Sequence, residues 1–210
     1  MTKKIDHFID EIFGGQNRVL KLLDSTSFVS VKEKTEQLFA EVAKGNFEND
    51  DIYKIEAEIV SELIKGALVS INRYDHKDRK LEIVALVGLK EFIELILKFG
   101  NINMIGKKLP LEDKLAELSL LQGRLHRIPR GLKDAALKGF PDVLVDLIDD
   151  VLGPFHCYSA GFVYKGELVG NVTIIGKNVV IDIEKEDIIN MLLPVFTCVE
   201  MIRRSLKNTS

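Results

Sequence analysis

The sequence predicts an α+β fold, in which helices are inserted between the hairpins of an antiparallel sheet. Residues 67–74 and 81–87 are β-prone runs separated by a polar turn, which is the pattern of a hairpin. Residues 158–164 and 168–175 form a second such pair, joined at the glycine-containing turn Lys165-Gly166-Glu167. Helical patterns lie before, between and after the two pairs, so the strands are expected to pair antiparallel.

Residues 1–48 are expected to form a helical extension that precedes the domain of residues 49–207. Within the extension, apolar side chains such as Ile12 and Val19 recur near helical spacing. The pair Gly14-Gly15 predicts a break in this helix, because glycine lowers helix stability.

A further helical pattern follows a polar stretch in which Asn49 and Asp50 are suitable N-cap residues. Its apolar face consists of residues at helical spacing: Ile52, Ile55, Ile59 and Leu63. This helix is expected to begin the domain and to lead into the first hairpin.

Four elements are predicted between the two hairpins. Residues 88–99 are apolar nearly all round a helical projection, which indicates a buried helix. Pro110 is expected to open the next helix, since proline is favoured at the first helical position, and residues 125–128 to form a short edge strand. Pro141 is expected to start a further helix.

The last helix, residues 184–206, is specified by both charge and apolar spacing. Acidic residues lie in its first turn and basic residues in its last turn, as the helix dipole favours. The apolar residues step by alternating four and three positions, which is the spacing of a coiled-coil seam. The seam predicts a homodimer interface formed by Ile188, Leu192, Val195, Val199, Ile202 and Leu206. The alternative is that it packs on the domain's own sheet or on the helix that begins near Ile52.

Composition restricts the classes of function. Of 210 residues, 46% are hydrophobic and 29% charged, which is typical of a globular protein. The formal net charge of −3 gives no general positive field for nucleic acid, and no window is apolar enough to span a membrane. No signal-peptide pattern begins the chain, so a cytoplasmic location is expected. Because no catalytic serine elbow, HExxH motif or phosphate-binding loop occurs, no enzyme activity is expected.

Three stretches of the chain together resemble one known family. They are the hairpin from Cys157 to Ile175, the start of the last helix from Ile183 with its Ile202-Arg-Arg end, and residues 110–130. They look like the corresponding parts of GAF domains, particularly the GAF sensor domains of methanogenic archaeal signal-transduction kinases. The resemblance covers about residues 50–206. It implies a central antiparallel sheet with helices on one face and a ligand cavity on the other.

The resemblance also implies a function and partners. GAF domains of this kind sense a small-molecule ligand and commonly dimerise through terminal helices. In a two-component system the output comes from a histidine kinase or another signalling protein, and the sequence carries no kinase motif of its own.

Residues that alternate along the strands and face the inserted helices are expected to line the pocket. They are Ser70, Asn72, Val84, Leu86, Phe92, Ile96, Ile128, Tyr158, Ala160 and Phe162. The alternative is a ligand-free module, whose interior is filled by its own side chains and whose helices serve dimerisation or docking.

Positive charge is concentrated near the predicted edge strand, at Arg124, His126, Arg127, Arg130 and Lys133. Arginine guanidinium groups suit carboxylate or phosphate. One hypothesis is that Arg127 contacts an anionic metabolite at the pocket border. The alternative is a solvated basic surface with no ligand.

His156 and Cys157 lie at the entry of the penultimate strand and are residue types that ligate haem iron or hold a tetrapyrrole. A haem or redox sensor is therefore a further hypothesis. The alternative interpretation of Cys157 is a small buried hydrophobic residue.

Overall fold

The computed structural model describes residues 2–24, 28–45, 47, 50–88, 104–111, 114–128, 156–177 and 179–207. The helices in these ranges are α1 (Thr2–Leu22), α2 (Val29–Ala43), α3 (Asp51–Leu63), α4 (Lys114–Leu120) and α5 (Ile183–Lys207). The strands are β1 (Leu68–Asp75), β2 (Lys80–Val87), β3 (Lys108–Pro110), β4 (His126–Ile128), β5 (His156–Tyr164) and β6 (Glu167–Gly176). Most of the predicted helix 88–99, and the helix predicted from Pro141, lie outside the described residues.

The six strands form one sheet in the order β3-β2-β1-β6-β5-β4, and every neighbouring pair is antiparallel. Both predicted hairpins are present, as β1–β2 and β5–β6. The sheet closes by pairing β1 with β6, which brings the two hairpins side by side. The prediction of an α+β fold with an antiparallel sheet is confirmed.

One side of the sheet, called the helical face here, carries α3 and α5. Successive side chains of a strand point to opposite sides, so alternate apolar residues of the central strands meet these helices. Val69, Ile71 and Val172 are at most 1% exposed, in the same core as the helices. The ring of Phe162 meets that of Phe196 of α5 edge to face, with centroids 5.8 Å apart.

Helix α1 runs unbroken through Gly14-Gly15, so the predicted break is wrong. Its apolar stripe, including Phe8 and Ile12 at 0% exposure, packs into the core that also contains α5. This burial outweighs the cost of about 0.5–1 kcal/mol for each helical glycine. The domain boundary near residue 48 stays a prediction, but the helices before it share the core of the residues after it.

The apolar seam of α5 is buried within its own chain. Five of its six residues are at most 3% exposed, and Leu206 is partly buried against the same core. The seam is therefore not available as a dimer interface in this conformation. The seam packs on the chain's own sheet, which is the alternative that the sequence analysis left open. A helix with apolar residues on a wide face is covered by the nearest apolar layer.

Polar side chains join α3 and α5 beneath this core. The Tyr53 hydroxyl donates to the Glu200 carboxylate, and Arg204 Nε donates to the other Glu200 oxygen at 2.6 Å. Arg203 lies over the Tyr53 ring and donates to Asp50. Glu56 is buried beside them at 1% exposure.

Two local predictions are corrected by the structure. Pro110 ends strand β3 opposite Lys80 instead of opening a helix, and α4 begins only at Lys114. A proline is tolerated there because β3 is at the edge of the sheet formed by the described strands. Asp50 stands at the N-cap of α3 without a side-chain capping bond, since its carboxylate binds Arg203.

In the part of the chain that the structure describes, no helix combines the length and apolar character needed to cross a membrane.

Candidate functional site

The side of the sheet opposite the helical face, called the second face here, carries five uncharged polar side chains at its centre. Ser70 and Asn72 come from β1, Asn171 and Thr173 from β6, and Ser159 from β5. In the strand register Ser70, Thr173 and Ser159 lie side by side, and Asn72 lies opposite Asn171. We call these five residues the polar cluster.

The polar cluster is buried. Asn171 and Ser159 are each 2% exposed, Asn72 is 5% exposed and Thr173 is 7% exposed, whereas Ser70 is half-buried. Burying an amide or hydroxyl costs free energy unless it forms hydrogen bonds. Five adjacent polar side chains in the middle of a sheet therefore need hydrogen-bond partners. Apolar side chains at the same positions would stabilise the fold without needing any.

Hydrogen bonds run across the three strands within the polar cluster. Ser159 Oγ donates to the backbone carbonyl of Val172 at 2.9 Å and accepts from Asn171 Nδ2 at 2.9 Å. Asn171 Nδ2 also donates to Thr173 Oγ1 at 2.9 Å. Asn72 Nδ2 donates to Asn171 Oδ1 at 3.0 Å.

One polar atom of the cluster is left over. Asn72 Oδ1 is buried, and no group in the described ranges donates to it. Buried polar atoms are nearly always paired in native proteins, so such an exception marks a place where another molecule can supply the missing donor.

Apolar residues border the polar cluster at both ends. At one end lie buried residues of three strands, Leu68, Cys157 and Ile175. At the other end α4 covers Tyr74 and Leu168 in a small apolar cluster with Leu120.

Gly161 lets α4 approach the sheet closely, because a Cβ atom at that position would lie 2.1 Å from the Leu120 carbonyl oxygen.

Two titratable groups beside the polar cluster have pKa values that burial shifts toward the neutral form. Burial lowers the pKa of His126, which lies on β4 opposite Ser159 and is half-buried. Burial raises the pKa of the Cys157 thiol to about 12. Charged side chains lie at the α4 end of the second face, where the Tyr74 hydroxyl donates to Glu117 at 3.2 Å and Arg79 pairs with Glu117 at 2.6 Å.

The residues predicted to line the pocket are divided between the two faces. Ser70, Asn72, Leu86 and Ile128 lie on the second face, and Phe92 and Ile96 lie outside the described residues. Tyr158, Ala160 and Phe162 lie on the helical face, where they pack against its core. The prediction of one common face is wrong for β5, because the assumed alternation was one residue out of register.

Val84 is separated from Leu86 by a bulge. The register runs from Ile71 opposite Ala85 to Asn72 opposite Ile83, so Val84 is the unpaired residue of β2. Its side chain packs on the core of the helical face. A bulge of this kind leaves no signature in the sequence of β2.

His156 and Cys157 are consecutive residues of β5, so their side chains point to opposite faces of the sheet. One bound group could therefore not lie against both side chains, and the hypothesis of a haem or redox sensor that uses Cys157 or His156 stays a prediction. Cys157 is fully buried and its thiol stays protonated, whereas a haem-ligating cysteine is a thiolate.

The basic residues near β4 do not form one site among the described residues. Arg127 is exposed on β4 and alternates away from His126 and Ile128. Arg124 donates to Gln122 at 3.1 Å on the surface. Arg130 and Lys133 lie outside the described residues.

Sequence reasoning missed three of the five members of the polar cluster, Ser159, Asn171 and Thr173. A signal for them was present, because Asn171 and Thr173 are polar residues two positions apart in a run that is otherwise apolar. Polar residues at alternate positions of a buried strand share one face.

A cleft of about 590 Å³ lies between α1, α5 and the end of β5. It is lined by Arg18, Tyr164, Pro194 and Thr197, and also by Val163, which packs in the small apolar cluster under α4. The Thr197 hydroxyl donates back to the Leu193 carbonyl at 2.8 Å, and Cys198 donates to Glu11 at 3.3 Å. These two polar groups of the cleft are thus paired within the protein.

Solved structures share the fold of this chain. The chromophore-binding domain of Stigmatella aurantiaca phytochrome P1 is 12% identical, with a TM-score of 0.53 over 83% of this chain and 61% of that chain. The corresponding domain of an unusual bacteriophytochrome from R. palustris is 12% identical, with a TM-score of 0.55 over 87% of this chain and 63% of that chain. A GAF domain/HD domain protein from Geobacter sulfurreducens is 14% identical, with a TM-score of 0.49 over 76% and 94% of the two chains.

This chain thus spans about three fifths of the length of the two phytochrome domains. No protein-family model and no curated protein matches it. Identities this low show the fold alone, and the predicted GAF-like α+β architecture is confirmed.

Proposed function

We propose that this protein is a sensory or regulatory module that binds a small molecule over the polar cluster and has no catalytic activity of its own. The observation that carries the proposal is the unpaired buried oxygen of Asn72 in the middle of a polar array. A site that offers oriented, uncharged polar groups and apolar borders is typical of small-molecule recognition.

The fold supports binding of a small molecule. The two phytochrome structures are described as chromophore-binding domains, which indicates that the architecture accommodates a small molecule.

A route from the polar cluster to α5 runs through the strands that carry it. Arg204 of α5 donates to the backbone carbonyls of Tyr74 in β1 and Val169 in β6, at 2.5 and 2.6 Å. The same strands supply Asn72 and Asn171 on the second face. A ligand that favours one spacing of β1 and β6 would therefore shift the position of α5, in proportion to its different affinities for the two arrangements.

We further propose that the module belongs to two-component signalling. It acts as a homodimer on a histidine kinase or another signalling protein, and it is related to archaeal sensors. Because the α5 seam is buried, the homodimer uses other surfaces or a rearranged α5.

Thermal-shift measurements on the full chain with a metabolite library test ligand binding. A ligand that prefers the folded state raises the unfolding midpoint, by an amount that grows with its concentration over Kd. Thr173→Val should reduce the shift, because it removes one hydroxyl of the polar cluster while keeping the shape of the side chain.

Thr197→Val is the matched control for this experiment. It makes the same change in a buried threonine of the α1–α5 cleft, on the other side of the sheet. A library without any stabilising compound would favour a ligand-free structural module. A shift that responds to Thr197→Val and not to Thr173→Val would place the binding site in the cleft and contradict the proposal.

A further inference from the structure

We infer that the polar cluster selects a neutral cyclic amide or imide, a ring in which an N–H group stands next to one or two carbonyl groups. The inference rests on the proposed function and specifies the ligand's chemistry. It follows from which groups donate and which accept along the chain of hydrogen bonds that joins Ser159, Asn171 and Asn72.

The direction begins at Ser159. Its single hydroxyl hydrogen is donated to the carbonyl of Val172, so Ser159 Oγ acts as an acceptor toward Asn171. The Asn171 amide therefore directs Nδ2 toward Ser159 and Oδ1 toward Asn72. Reversing it would bring its oxygen against the oxygens of Ser159 and Thr173.

The orientation of Asn171 then fixes that of Asn72. Because Asn171 Oδ1 is an acceptor, the group facing it must be the Nδ2 donor of Asn72, at 3.0 Å. The oxygen of Asn72 is consequently the unpaired end of the chain of bonds. A ligand that satisfies this oxygen must donate an N–H or O–H group.

Two hydroxyl groups beside this oxygen have the opposite requirement. Thr173 Oγ1 accepts from Asn171 at 2.9 Å, and Ser70 Oγ accepts from Asn72 at 3.3 Å. Among the described residues nothing accepts the hydroxyl hydrogen of either one. Ser70 and Thr173 are directly opposite each other in the register, so two donors stand together next to one acceptor.

A cyclic amide or imide presents the complementary pattern of an N–H donor with adjacent carbonyl acceptors. The five side chains of the cluster are themselves uncharged, which favours a neutral ligand. An anion in direct contact with them would find neutral donors and no cation within the cluster, which is costly in a low-dielectric interior. Carboxylates and phosphates are therefore expected to bind poorly at this site.

The test uses glutarimide and uracil as probes, each with its N-methylated counterpart, and ligand-observed NMR with the full-length chain. The parent compounds should bind, and N-methylation should weaken binding at least about tenfold, because it removes the donor that Asn72 Oδ1 requires. Thr173→Val should weaken binding about fivefold to tenfold, and Thr197→Val should leave it unchanged. Ser70→Ala, at a half-buried position, is a second variant if Thr173→Val fails to fold.

The outcomes separate this inference from the proposed function. Equal binding of parent and methylated rings overturns the inference. The inference is also overturned if anionic metabolites bind, Thr173→Val weakens their binding, and the imides do not bind. In that case the proposed function still stands. If neither the imides nor the metabolite library binds, both are overturned.

Discussion

Glu56 lies in the layer between α3 and α5, and it is one of the few acidic side chains in the described ranges that are almost completely buried. Neither of its carboxylate oxygens has a hydrogen-bond partner in the described ranges. Burial raises its pKa well above the 4.5 of an exposed glutamic acid, and the negative charge of Glu200 adds to this effect, while Arg203 opposes it. Burial therefore favours the protonated, neutral form of Glu56 in the folded protein.

The raised pKa makes stability depend on pH, with a sign that follows from linkage. Above pH 4.5 the unfolded chain loses this proton while the folded protein keeps it, so the free energy of unfolding falls as the pH rises. Glu56→Gln removes the titration. Urea denaturation at pH values from about 5 to about 8 measures the free energy of unfolding of both proteins. The value for Glu56→Gln should rise relative to that of wild type by up to ~1.4 kcal/mol per pH unit.

Glu58→Gln is the control at the residue scale. Glu58 lies two positions further along α3, partly exposed and paired with Lys34. It should show no comparable growth of the difference with pH. A stability difference for Glu56→Gln that stays constant across this pH range would mean that Glu56 is ionised in the folded state.

The close packing of α4 against β5 depends on Gly161. A Cβ atom there would approach the Leu120 carbonyl oxygen to 2.1 Å and its carbon to 2.7 Å, both of them backbone atoms. Gly161→Ala must therefore separate α4 from the sheet, and it should destabilise the protein by about 1–3 kcal/mol. Chemical denaturation measures this change.

Helix α1 supplies the contrasting control. A Cβ atom added at Gly14 meets nothing within 4 Å, and the residue is helical. Gly14→Ala should stabilise the protein by about 0.5–1 kcal/mol, because alanine loses less conformational freedom in a helix. If both substitutions changed stability in the same direction, the packing described for α4 would be in error.

Helices α1 and α2 share one hydrophobic core with the sheet and α5. Phe8, Ile12, Leu38 and Phe39 are at most 2% exposed within it. Each such side chain contributes about 1.5–3 kcal/mol, and a typical domain is stable by only about 5–15 kcal/mol.

Deleting residues 1–48 should therefore abolish cooperative unfolding and uncover apolar surface on α5. Circular dichroism during thermal denaturation, with binding of a hydrophobic dye, measures both effects. Phe8→Ala in the full chain is the milder control and should retain a cooperative transition at a lower midpoint. A fragment of residues 49–210 that unfolds cooperatively at the midpoint of the full chain would support the predicted domain boundary near residue 48.

Much of the secondary structure follows from local sequence. The turn Lys165-Gly166-Glu167 and the β-prone runs beside it specify the β5–β6 hairpin, because turn residues and alternation act over a few positions. The charges and apolar spacing of the last helix likewise specify α5. The same local rules predicted a break at Gly14-Gly15 and a helix at Pro110, where contacts with distant elements decided otherwise.

The antiparallel α+β class, the two hairpins and the long last helix can be predicted from local sequence, because they depend on neighbours along the chain. Contacts between distant elements set which face of β5 meets the helices, where the bulge at Val84 falls and what covers the α5 seam. A shift of one residue exchanges the two faces of a strand without changing its composition. The polar cluster is assembled from β1, β5 and β6, and Asn72 and Asn171 meet across 99 positions of sequence through the pairing of β1 with β6.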